Sequence, residues 1–218
     1  ALYRALHHKF HQPWWEWPEE LRDRHPPTLA QVRRELLERM QQVRFTQFLF
    51  FRQWHALRAY ANERDVRLFG DLPIFVAHDS ADVWANRDWF FLDGEGQPSV
   101  VAGVPPDYFS ETGQRWGNPL YRWDRMRGDQ FSFWVRRLLS QFELFDLVRI
   151  DHFRGFQAYW EIPADEEFAI NGEWVESPGD DLFHRLFKAF DDLPLVAEDL
   201  GVITPEVEAL RDRFGLPG

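Results

Sequence analysis

Apolar positions in the first 65 residues repeat mainly with the period of an α-helix. The chain begins with an aromatic stretch punctuated by prolines, which predicts a short helix followed by irregular structure. Thr28 is expected to cap a helix to about Met40, which is continued or followed by a second helix from about Val43 to Glu63. The second helix carries one apolar stripe: Phe50, Trp54, Leu57 and Ala61. Further aromatic side chains surround this stripe, so we expect most of the helix circumference to be buried.

Three short apolar segments are typical of buried strands: VRLFGDLPIFV (66–76), FDLVRID (145–151) and PLVAEDLG (194–201). A helix with 4-3-4-3 spacing precedes the second segment, and its apolar residues are Phe131, Val135, Leu138, Phe142 and Phe145. A hairpin around INGEWVE and a helix near 181–190 precede the third. The last helix has three end signals: Thr204 as N-cap, Pro205 at its first position and Gly215 at its C-terminal end. Buried strands that alternate with helices predict an α/β protein with a parallel sheet.

A long segment, about residues 77–128, follows the first predicted strand and shows no regular period. It is rich in Gly, Pro, Asp and Trp, which predicts irregular structure. Loops of this length in a compact domain are usually functional. We therefore expect this segment to contribute to a functional site.

Composition excludes several classes of function. The formal net charge of −11 argues against binding the phosphate backbone of nucleic acids. No apolar run approaches the roughly 20 residues that span a bilayer, and the first residues show no signal-peptide pattern, so no membrane partner is expected. The absence of cysteine excludes disulfides and thiolate sites and fits a cytoplasmic protein. Eleven tryptophans and 21 phenylalanines suit either core packing or sugar binding, and composition leaves both open.

An acidic residue lies towards the C-terminal end of each predicted strand: Asp71, Asp151 and Glu198. Open α/β sheets and (β/α)-barrels place their active sites at this edge. The three strands could therefore bring three carboxyl groups together. Strand-end acids also cap neighbouring helices or form structural salt bridges, and for any one acid taken alone that alternative stays open.

Side chains alternate along a strand, so Arg149 and Asp151 are expected to share one face. The arginine should favour the ionised carboxylate and lower the pKa of Asp151, as a nucleophile requires. Glu198 follows three apolar residues, which are expected to desolvate it and raise its pKa, as suits a general acid/base. One ionised and one protonatable carboxyl group serve retaining glycoside chemistry, in which the two lie about 5–5.5 Å apart.

Long ungapped segments of the chain, residues 70–121, 148–156 and 196–207, resemble one known family. They are similar to the amylomaltases, the 4-α-glucanotransferases of glycoside hydrolase family 77, which include the plant disproportionating enzymes. The resemblance implies a (β/α)8 TIM barrel of the α-amylase clan that needs no metal or organic cofactor. It also implies a retaining transfer of α-1,4-glucan segments. The donors would be maltooligosaccharides, amylose or starch-type glucans, and the acceptors glucans or glucose.

The resemblance implies roles for individual residues. Asp151 in RIDHF matches the nucleophile of the family, and Glu198 in AEDLG matches its general acid/base. Arg149 matches the arginine that holds the nucleophile, and Asp71 in GDLP matches a supporting acid. Residues 103–119 resemble a mobile loop that arches over the site. The positions of this loop that match substrate contacts are Asp107, Tyr108, Phe109, Trp116 and Asn118.

The chain departs from the family in one respect. The family uses a third catalytic acid in a late HDN-type motif, and no such motif follows Glu198. Matched to the family, residues 1–218 supply the third, fourth and fifth barrel strands. Residues 1–65 would form a helical and aromatic segment, 66–128 a strand with an active-site loop, and 129–218 two further strand–helix units. We therefore expect the central part of a catalytic barrel, incomplete as given, with two raw sheet edges.

Two further patterns could indicate a metal. His7 and His11 have the i, i+4 spacing that can bind a metal on a helix, but no third ligand is evident, so an ordinary amphipathic turn is the favoured interpretation. HDSADVW (78–84), with Asp79 and Asp82, invites a metal-hydrolase interpretation. The segment also fits the amylomaltase pattern as loop structure, which we favour.

Two aromatic patterns have both a structural and a functional interpretation. His152 follows Asp151 and is expected to point to the opposite face of the strand and to make structural hydrogen bonds. PWWEWP (13–18) could be a surface platform for sugars, but packing against the barrel is the favoured interpretation.

Three functions are compatible with the sequence. The leading one is a retaining 4-α-glucanotransferase. A hydrolase of the same clan would share Asp151 and Glu198 but would release reducing ends without lengthening chains. A non-catalytic glucan-binding fragment would use Trp116 and its loop, and would bind glucan without turnover because the third acid is absent.

Overall fold

The structure is a computed structural model that describes residues 1–201 and 203–218. Its helices are α1 (Leu2–Phe10), α2 (Glu19–Arg22), α3 (Pro26–Glu35), α4 (Leu37–Asn62), α5 (Ala81–Ala85), α6 (Trp123–Gly128), α7 (Ser132–Leu144), α8 (Gly179–Ala189) and α9 (Pro205–Arg213). Its strands are β1 (Phe69–Pro73), β2 (Val100–Val104), β3 (Gln114–Pro119), β4 (Leu147–Asp151), β5 (Ala158–Pro163), β6 (Glu173–Glu176) and β7 (Leu195–Ala197). Within the described residues, no helix has the length and apolar character that crossing a membrane requires.

The predicted parallel sheet is confirmed, with strand order β1-β4-β7 among the described residues. Val148 and Ile150 are buried on one face of β4, and the alternate residues Leu147, Arg149 and Asp151 lie on the other face. The register pairs Asp71 with Arg149 and Pro73 with Asp151. Residues that pair directly in a parallel sheet project to the same side, so this register places Asp71 beside Arg149.

The interval 77–128 is more regular than predicted, because it contains α5, β2, β3 and α6. Strands β2 and β3 join an antiparallel sheet with the order β3-β2-β5-β6. The β5–β6 pair confirms the hairpin predicted around INGEWVE. The prediction for β2 was wrong because one of its two partners, β5, lies almost 60 residues away in the sequence, and a local pattern does not reveal that pairing.

Two predictions about the first helices are wrong. Helix α3 begins at Pro26, with His25 as N-cap, and Thr28 lies inside it, where its hydroxyl donates a hydrogen bond to Glu20 Oε2 at 2.7 Å. Helix α4 is largely exposed rather than buried on most sides. Its exposed large apolar residues are Leu37, Phe45, Phe48, Phe50, Leu57 and Tyr60. The reason is that α1, α3 and α7, the described elements with the most extensive contacts to α4, leave these side chains open to solvent.

The later helices agree with the sequence. Helix α7 follows the 4-3-4-3 pattern, and α8 covers the helix predicted near 181–190. Helix α9 has Thr204 as N-cap and Pro205 at its first position. Gly215 follows this helix with φ of 62°, a left-handed conformation that suits glycine.

The tryptophan-rich segment near the N-terminus is mainly packing structure. Trp14 and Trp17 are buried, and Trp15 stacks on His78 with ring centroids 3.9 Å apart. The Asp79 carboxylate accepts a hydrogen bond from the Tyr3 hydroxyl at 2.6 Å. These contacts dock the N-terminal segment against the residues that follow β1, in agreement with the packing interpretation of PWWEWP.

Trp134→Ala is expected to lower the free energy of unfolding by about 3–5 kcal/mol, the usual cost of truncating a buried aromatic ring. Trp134 is fully buried in α7 and contacts the rings of Tyr121, Trp123 and Phe156. Urea denaturation of the 218-residue chain measures the loss. Leu139→Ala, on the exposed side of the same helix, is the control and should stay within about 0.5 kcal/mol. Equal losses in the two variants would contradict this account of the core.

Candidate active site

Arg149 is the centre of the candidate site. Its Nε and Nη2 donate to the two carboxylate oxygens of Asp71, at 2.8 and 2.9 Å. The same Nη2 also donates to Asp151 Oδ1, at 3.3 Å. The prediction that Arg149 and Asp151 share a face is therefore confirmed. The bidentate geometry makes the Asp71 contact the stronger of the two.

The predicted pKa of Asp151 is wrong in direction. Partial burial raises the pKa of Asp151, the negative charge of Asp71 raises it further, and Arg149 opposes both. The prediction failed because it assigned the full effect of the arginine to Asp151, whereas the guanidinium makes its two shortest bonds to Asp71. Arg149 is thus shared between two carboxylates.

Glu198 is held against the residue that follows Asp151. Its backbone N–H donates to the Ile150 carbonyl at 3.0 Å, and its Oε2 accepts a hydrogen bond from the His152 N–H at 2.9 Å. Its Oε1 accepts a second backbone bond, from the Leu200 N–H, at 3.1 Å. The carboxylate therefore has polar backbone partners, in contrast to the apolar surroundings expected from the residues before it.

The charges of three acids converge on Arg149. The pKa of this guanidinium is raised above its ordinary value, first by its hydrogen bond to Asp71 and then by the charges of Asp71, Asp151 and Glu198. The structure thus brings together the three strand-end acids that the sequence singled out.

His152 does not follow the alternation of β4. Its backbone is left-handed, with φ of 57°, so the strand geometry ends at Asp151 and the prediction that His152 points away from the site is wrong. Its ring lies edge-on to Trp116, with centroids 4.8 Å apart. Burial, with a smaller effect of Arg154, lowers the pKa of His152 to about 4. The imidazole is therefore neutral near neutral pH. Its buried Nε2 has no hydrogen-bond partner among the described residues.

A cavity of about 340 Å³ opens beside Asp151. The residues that line it are Pro73, Ile74, Phe75, Trp116, Asn118, Asp151 and His152. Two of the predicted substrate contacts, Trp116 and Asn118, thus lie at the cavity. The Asn118 side-chain amide donates to the Val76 carbonyl at 3.0 Å, which ties β3 to the chain after β1.

The other predicted contacts lie at the tip of the loop between β2 and β3. Tyr108 and Phe109 are 97% and 91% exposed, and neither lines the cavity in the described part of the chain. Asp107 Oδ1 accepts hydrogen bonds from the backbone N–H groups of Phe109 and Ser110, at 2.8 and 2.9 Å. Asp107 therefore closes the turn at the tip in this structure.

Sequence reasoning missed the apolar wall of the cavity. Pro73 ends the strand that carries Asp71, and Ile74 and Phe75 directly follow it. Their position after a strand-end acid was a usable signal, since residues at the carboxyl ends of parallel strands surround active sites. His152 could not be placed in the same way, because its left-handed backbone is not evident from the residue type.

The two possible metal patterns have other roles in the structure. His7 lies 2.9 Å from Asp79 Oδ2, while His11 ends α1 in a left-handed conformation. Among residues 1–201 and 203–218, no group of three His, Asp or Glu side chains has a metal-binding arrangement.

Asp71→Asn is expected to lower the pKa of Asp151. The substitution removes a charge that raises this pKa, and it weakens the competing partner of Arg149. A ¹³C NMR titration of the aspartate carboxyl carbons in the 218-residue chain measures the change. Asp79→Asn is the matched control, because Asp79 bonds Tyr3 and lies outside the site. An unchanged or higher pKa in Asp71→Asn would contradict the expectation.

The same shift has a consequence for stability. Because its pKa is raised in the folded state, Asp151 binds its proton more tightly there than in the unfolded chain. Its contribution to stability is therefore present at acid pH, below the unfolded-state pKa, and is lost as the pH rises through the folded-state pKa. Asp71→Asn should reduce this contribution.

Comparison with known proteins gives this geometry a family. The sequence model of glycoside hydrolase family 77, described as 4-alpha-glucanotransferase, matches residues 1–218. The chain is 62% identical over 206 residues to the 4-alpha-glucanotransferase of Thermus thermophilus, which covers 94% of this chain and 41% of that protein. It is 50% identical over 218 residues to the 4-alpha-glucanotransferase of Aquifex aeolicus, which covers 100% of this chain and 45% of the relative.

A solved structure agrees with the sequence comparison. The amylomaltase from Streptococcus agalactiae in complex with acarbose superposes with a TM-score of 0.96 at 40% identity, covering 100% of this chain and 44% of that one. The fold is accordingly part of a (β/α)8 barrel, and the chain spans less than half the length of these relatives. The full-length match and the identities show that the chain belongs to glycoside hydrolase family 77, the 4-alpha-glucanotransferase family.

Proposed function

We propose that this chain is the central part of a retaining 4-α-glucanotransferase. The observation that carries the proposal is the placement of Asp151 and Glu198. Asp151 shares Arg149 with Asp71, and Glu198 is bonded to the backbone of the residue that follows Asp151. Two carboxyl groups on neighbouring strand ends are what retaining glycoside chemistry requires. Family membership supports the same activity.

In the proposed reaction Asp151 attacks the anomeric carbon of a bound α-1,4-glucan, and the glycosidic bond breaks. Glu198 gives its proton to the departing oxygen, which releases the shortened glucan and leaves a glucosyl ester on Asp151. Glu198 then takes the proton from the 4-hydroxyl of an acceptor glucan or glucose. The acceptor oxygen attacks the anomeric carbon, a new α-1,4 bond forms and Asp151 is freed.

The environment of Asp151 makes a positive charge beside this carboxyl group necessary for the proposed reaction. Attack requires the ionised carboxylate, whereas burial and Asp71 both raise the pKa of Asp151. Arg149 is the group that opposes them, through its bond of 3.3 Å. We therefore propose that Arg149 keeps the nucleophile ionised and aimed, and that Asp71 fixes the position of the guanidinium.

The cavity beside Asp151 supports a sugar-binding role. Trp116 and Phe75 contribute aromatic surface, and Asn118 contributes a polar side chain. Flat apolar rings with a few polar groups suit the faces and hydroxyls of a pyranose. We propose that maltooligosaccharide, amylose or starch-type glucans bind here, and that Asp107, Tyr108 and Phe109 contact them when the loop closes.

The third catalytic acid of the family would lie outside this chain, since no HDN-type motif follows Glu198. We therefore propose that full activity needs a longer polypeptide. A suitable host is a chimera in which this chain replaces the matching stretch of the Thermus thermophilus relative, which is 62% identical to it.

The test is incubation of the 218-residue chain and of the chimera with maltotriose, with separation of the products by chain length. Glucose together with maltopentaose and longer glucans from the chimera is the expected result. The isolated chain is expected to give no products. Glucose and maltose alone from the chimera would favour the hydrolase. Glucan binding without turnover by a folded chimera would contradict the transferase assignment and favour a binding role.

A further inference from the structure

The loop between β2 and β3 rests on a small apolar cluster that is separate from the main core. The cluster consists of Val101, Ile162 and Ala169, with Trp160 and Ala164 packed against it. It joins β2 and β5 to residues 164–172, which we call the brace. Residues 105–113 are the loop itself, and residues 107–113 are its tip.

The tip is closed by its own hydrogen bonds. Asp107 Oδ1 binds two backbone N–H groups of the tip, and the Ser110 hydroxyl donates to the Gly113 carbonyl at 2.9 Å. The Gly113 N–H also donates to the Ser110 carbonyl, at 3.3 Å. These bonds hold the tip together as a unit, but they do not set its orientation relative to the cavity. That orientation depends on contacts at the base of the loop.

The brace supplies contacts at this base. The Ala169 N–H donates to the Thr112 carbonyl at 3.1 Å, and the Ala169 carbonyl accepts a bond from Trp160 Nε1 at 2.8 Å. Ala169 is 1% exposed, so its N–H and carbonyl groups, which make these bonds, lie in a buried residue. Arg115 Nη2, in β3 directly after the loop, donates to the Ala164 carbonyl at 2.9 Å. The brace thus binds the chain on both sides of Gly113, where the tip joins β3.

Steric contact adds to these bonds. Gly113 has φ of 68°, and a Cβ atom at this position would lie 2.4 Å from the Val104 carbonyl oxygen and 2.9 Å from the Ala169 Cβ. The backbone of the loop therefore lies directly against Ala169. The hydrogen bond between the Ala169 N–H and the Thr112 carbonyl opposes movement of the loop, because moving the loop away would leave the N–H of a buried residue without a partner.

We propose that the brace is a positioning element that sets the orientation of the tip, with Ala169 of the brace and Trp160 of β5, which holds Ala169 in place, as the positioning residues. Through the tip it would place Tyr108 and Phe109 for contact with glucan. This last step rests on the proposed function, whereas the mechanical coupling of brace and tip does not. The two parts are tested by separate measurements.

The first measurement is chymotrypsin cleavage after Tyr108 or Phe109 in the 218-residue chain, followed by mass spectrometry of the fragments. Trp160→Phe keeps an aromatic ring but removes the N–H that binds Ala169. We expect cleavage at the tip about fivefold faster, since proteolysis follows the population of locally opened chains. Arg115→Met, which removes the bond to Ala164, should act in the same direction.

Trp54→Phe is the matched control. Trp54 Nε1 donates to the Leu144 carbonyl at 2.7 Å, so this substitution removes the same kind of bond between α4 and α7, away from the loop. Cleavage at the tip should be unchanged in this variant. Unchanged cleavage in both Trp160→Phe and Arg115→Met would overturn the proposal.

The second measurement is maltoheptaose binding by calorimetry. Trp160→Phe should raise the Kd about fivefold in the original chain. In a background where Tyr108 and Phe109 are both replaced by alanine, the same substitution should leave the Kd unchanged. An equal loss in both backgrounds would show a merely structural effect and would overturn the positioning role. If the 218-residue chain binds no maltoheptaose, the same comparison is made in the chimera; absence of binding there too would contradict the proposed glucan function, and the cleavage rates still decide the coupling of brace and tip.

Discussion

Asp151→Asn in the chimera is expected to lower the rate of glucose release from maltotriose by at least about 10⁴-fold, the order seen when a covalent nucleophile is removed. The amide has the shape of the carboxylate but cannot form the glucosyl ester. Asp151 ends β4 beside the cavity and shares Arg149 with Asp71, so an amide can occupy its place with little change in the surrounding fold. The substitution should therefore lower the rate of the reaction and leave the stability of the fold largely unchanged.

Two measurements separate these possibilities. The denaturation midpoint of Asp151→Asn should stay close to that of the parent or exceed it, because a partly buried charge disappears. Asp192→Asn, at an exposed position, is the control for the chemical change itself and should retain full activity. Detection of a covalent glucosyl adduct on the Asp151→Asn protein by intact mass would refute the assignment of the nucleophile.

The positions of the three acids could be predicted from the sequence because they depend on short-range patterns. Each acid lies within or directly after a short apolar strand, and parallel strands place their carboxyl ends at one edge. The register of β1 against β4 then sets Asp71 beside Arg149. The sequence motif predicted that these groups would meet.

The electrostatics of the site could not be predicted in the same way. The pKa of Asp151 depends on which carboxylate Arg149 binds more closely, and that follows from the pairing of two strands almost 80 residues apart. The neighbours of Asp151 in the sequence give no information about this competition. The backbone contacts of Glu198 are equally non-local, since one of their donors belongs to the residue after Asp151.

The exposure of α4 illustrates a different limit. Its apolar residues predict a buried helix, and the described chain covers a part of it. Which side chains of α4 are covered depends on elements distant in the sequence, and the apolar pattern within the helix does not specify them. The apolar pattern of α4 therefore predicted more burial than the described elements provide.

Glu198→Gln is expected to slow glucosyl transfer from maltotriose by about 10²–10⁴-fold, the range for loss of a general acid/base. The amide oxygen can still accept the hydrogen bond from the His152 N–H, which Oε2 accepts at 2.9 Å, while the weaker bond from the Leu200 N–H is lost. The remaining bond should keep the side chain beside Asp151. Glucan affinity should change little. Glu38→Gln, at an exposed position of α4 away from the site and the brace, is the matched control and should leave the rate unaltered.

The choice of leaving group tests the role of Glu198 more sharply than the rate alone. The departing oxygen of a glucan must be protonated. When the donor is a glycosyl fluoride, the leaving group is fluoride ion, which departs without a proton from the enzyme. With an α-maltosyl fluoride donor, the formation of the maltosyl ester on Asp151 in Glu198→Gln should therefore approach the rate of the parent, while transfer of the maltosyl group to a glucan acceptor stays slow because the base is missing. Equal losses in ester formation with both donors would mean that Glu198 acts mainly by holding the backbone of residues 152 and 200 in place, as its two N–H bonds allow. A rate on maltotriose close to that of the parent would exclude Glu198 from catalysis altogether.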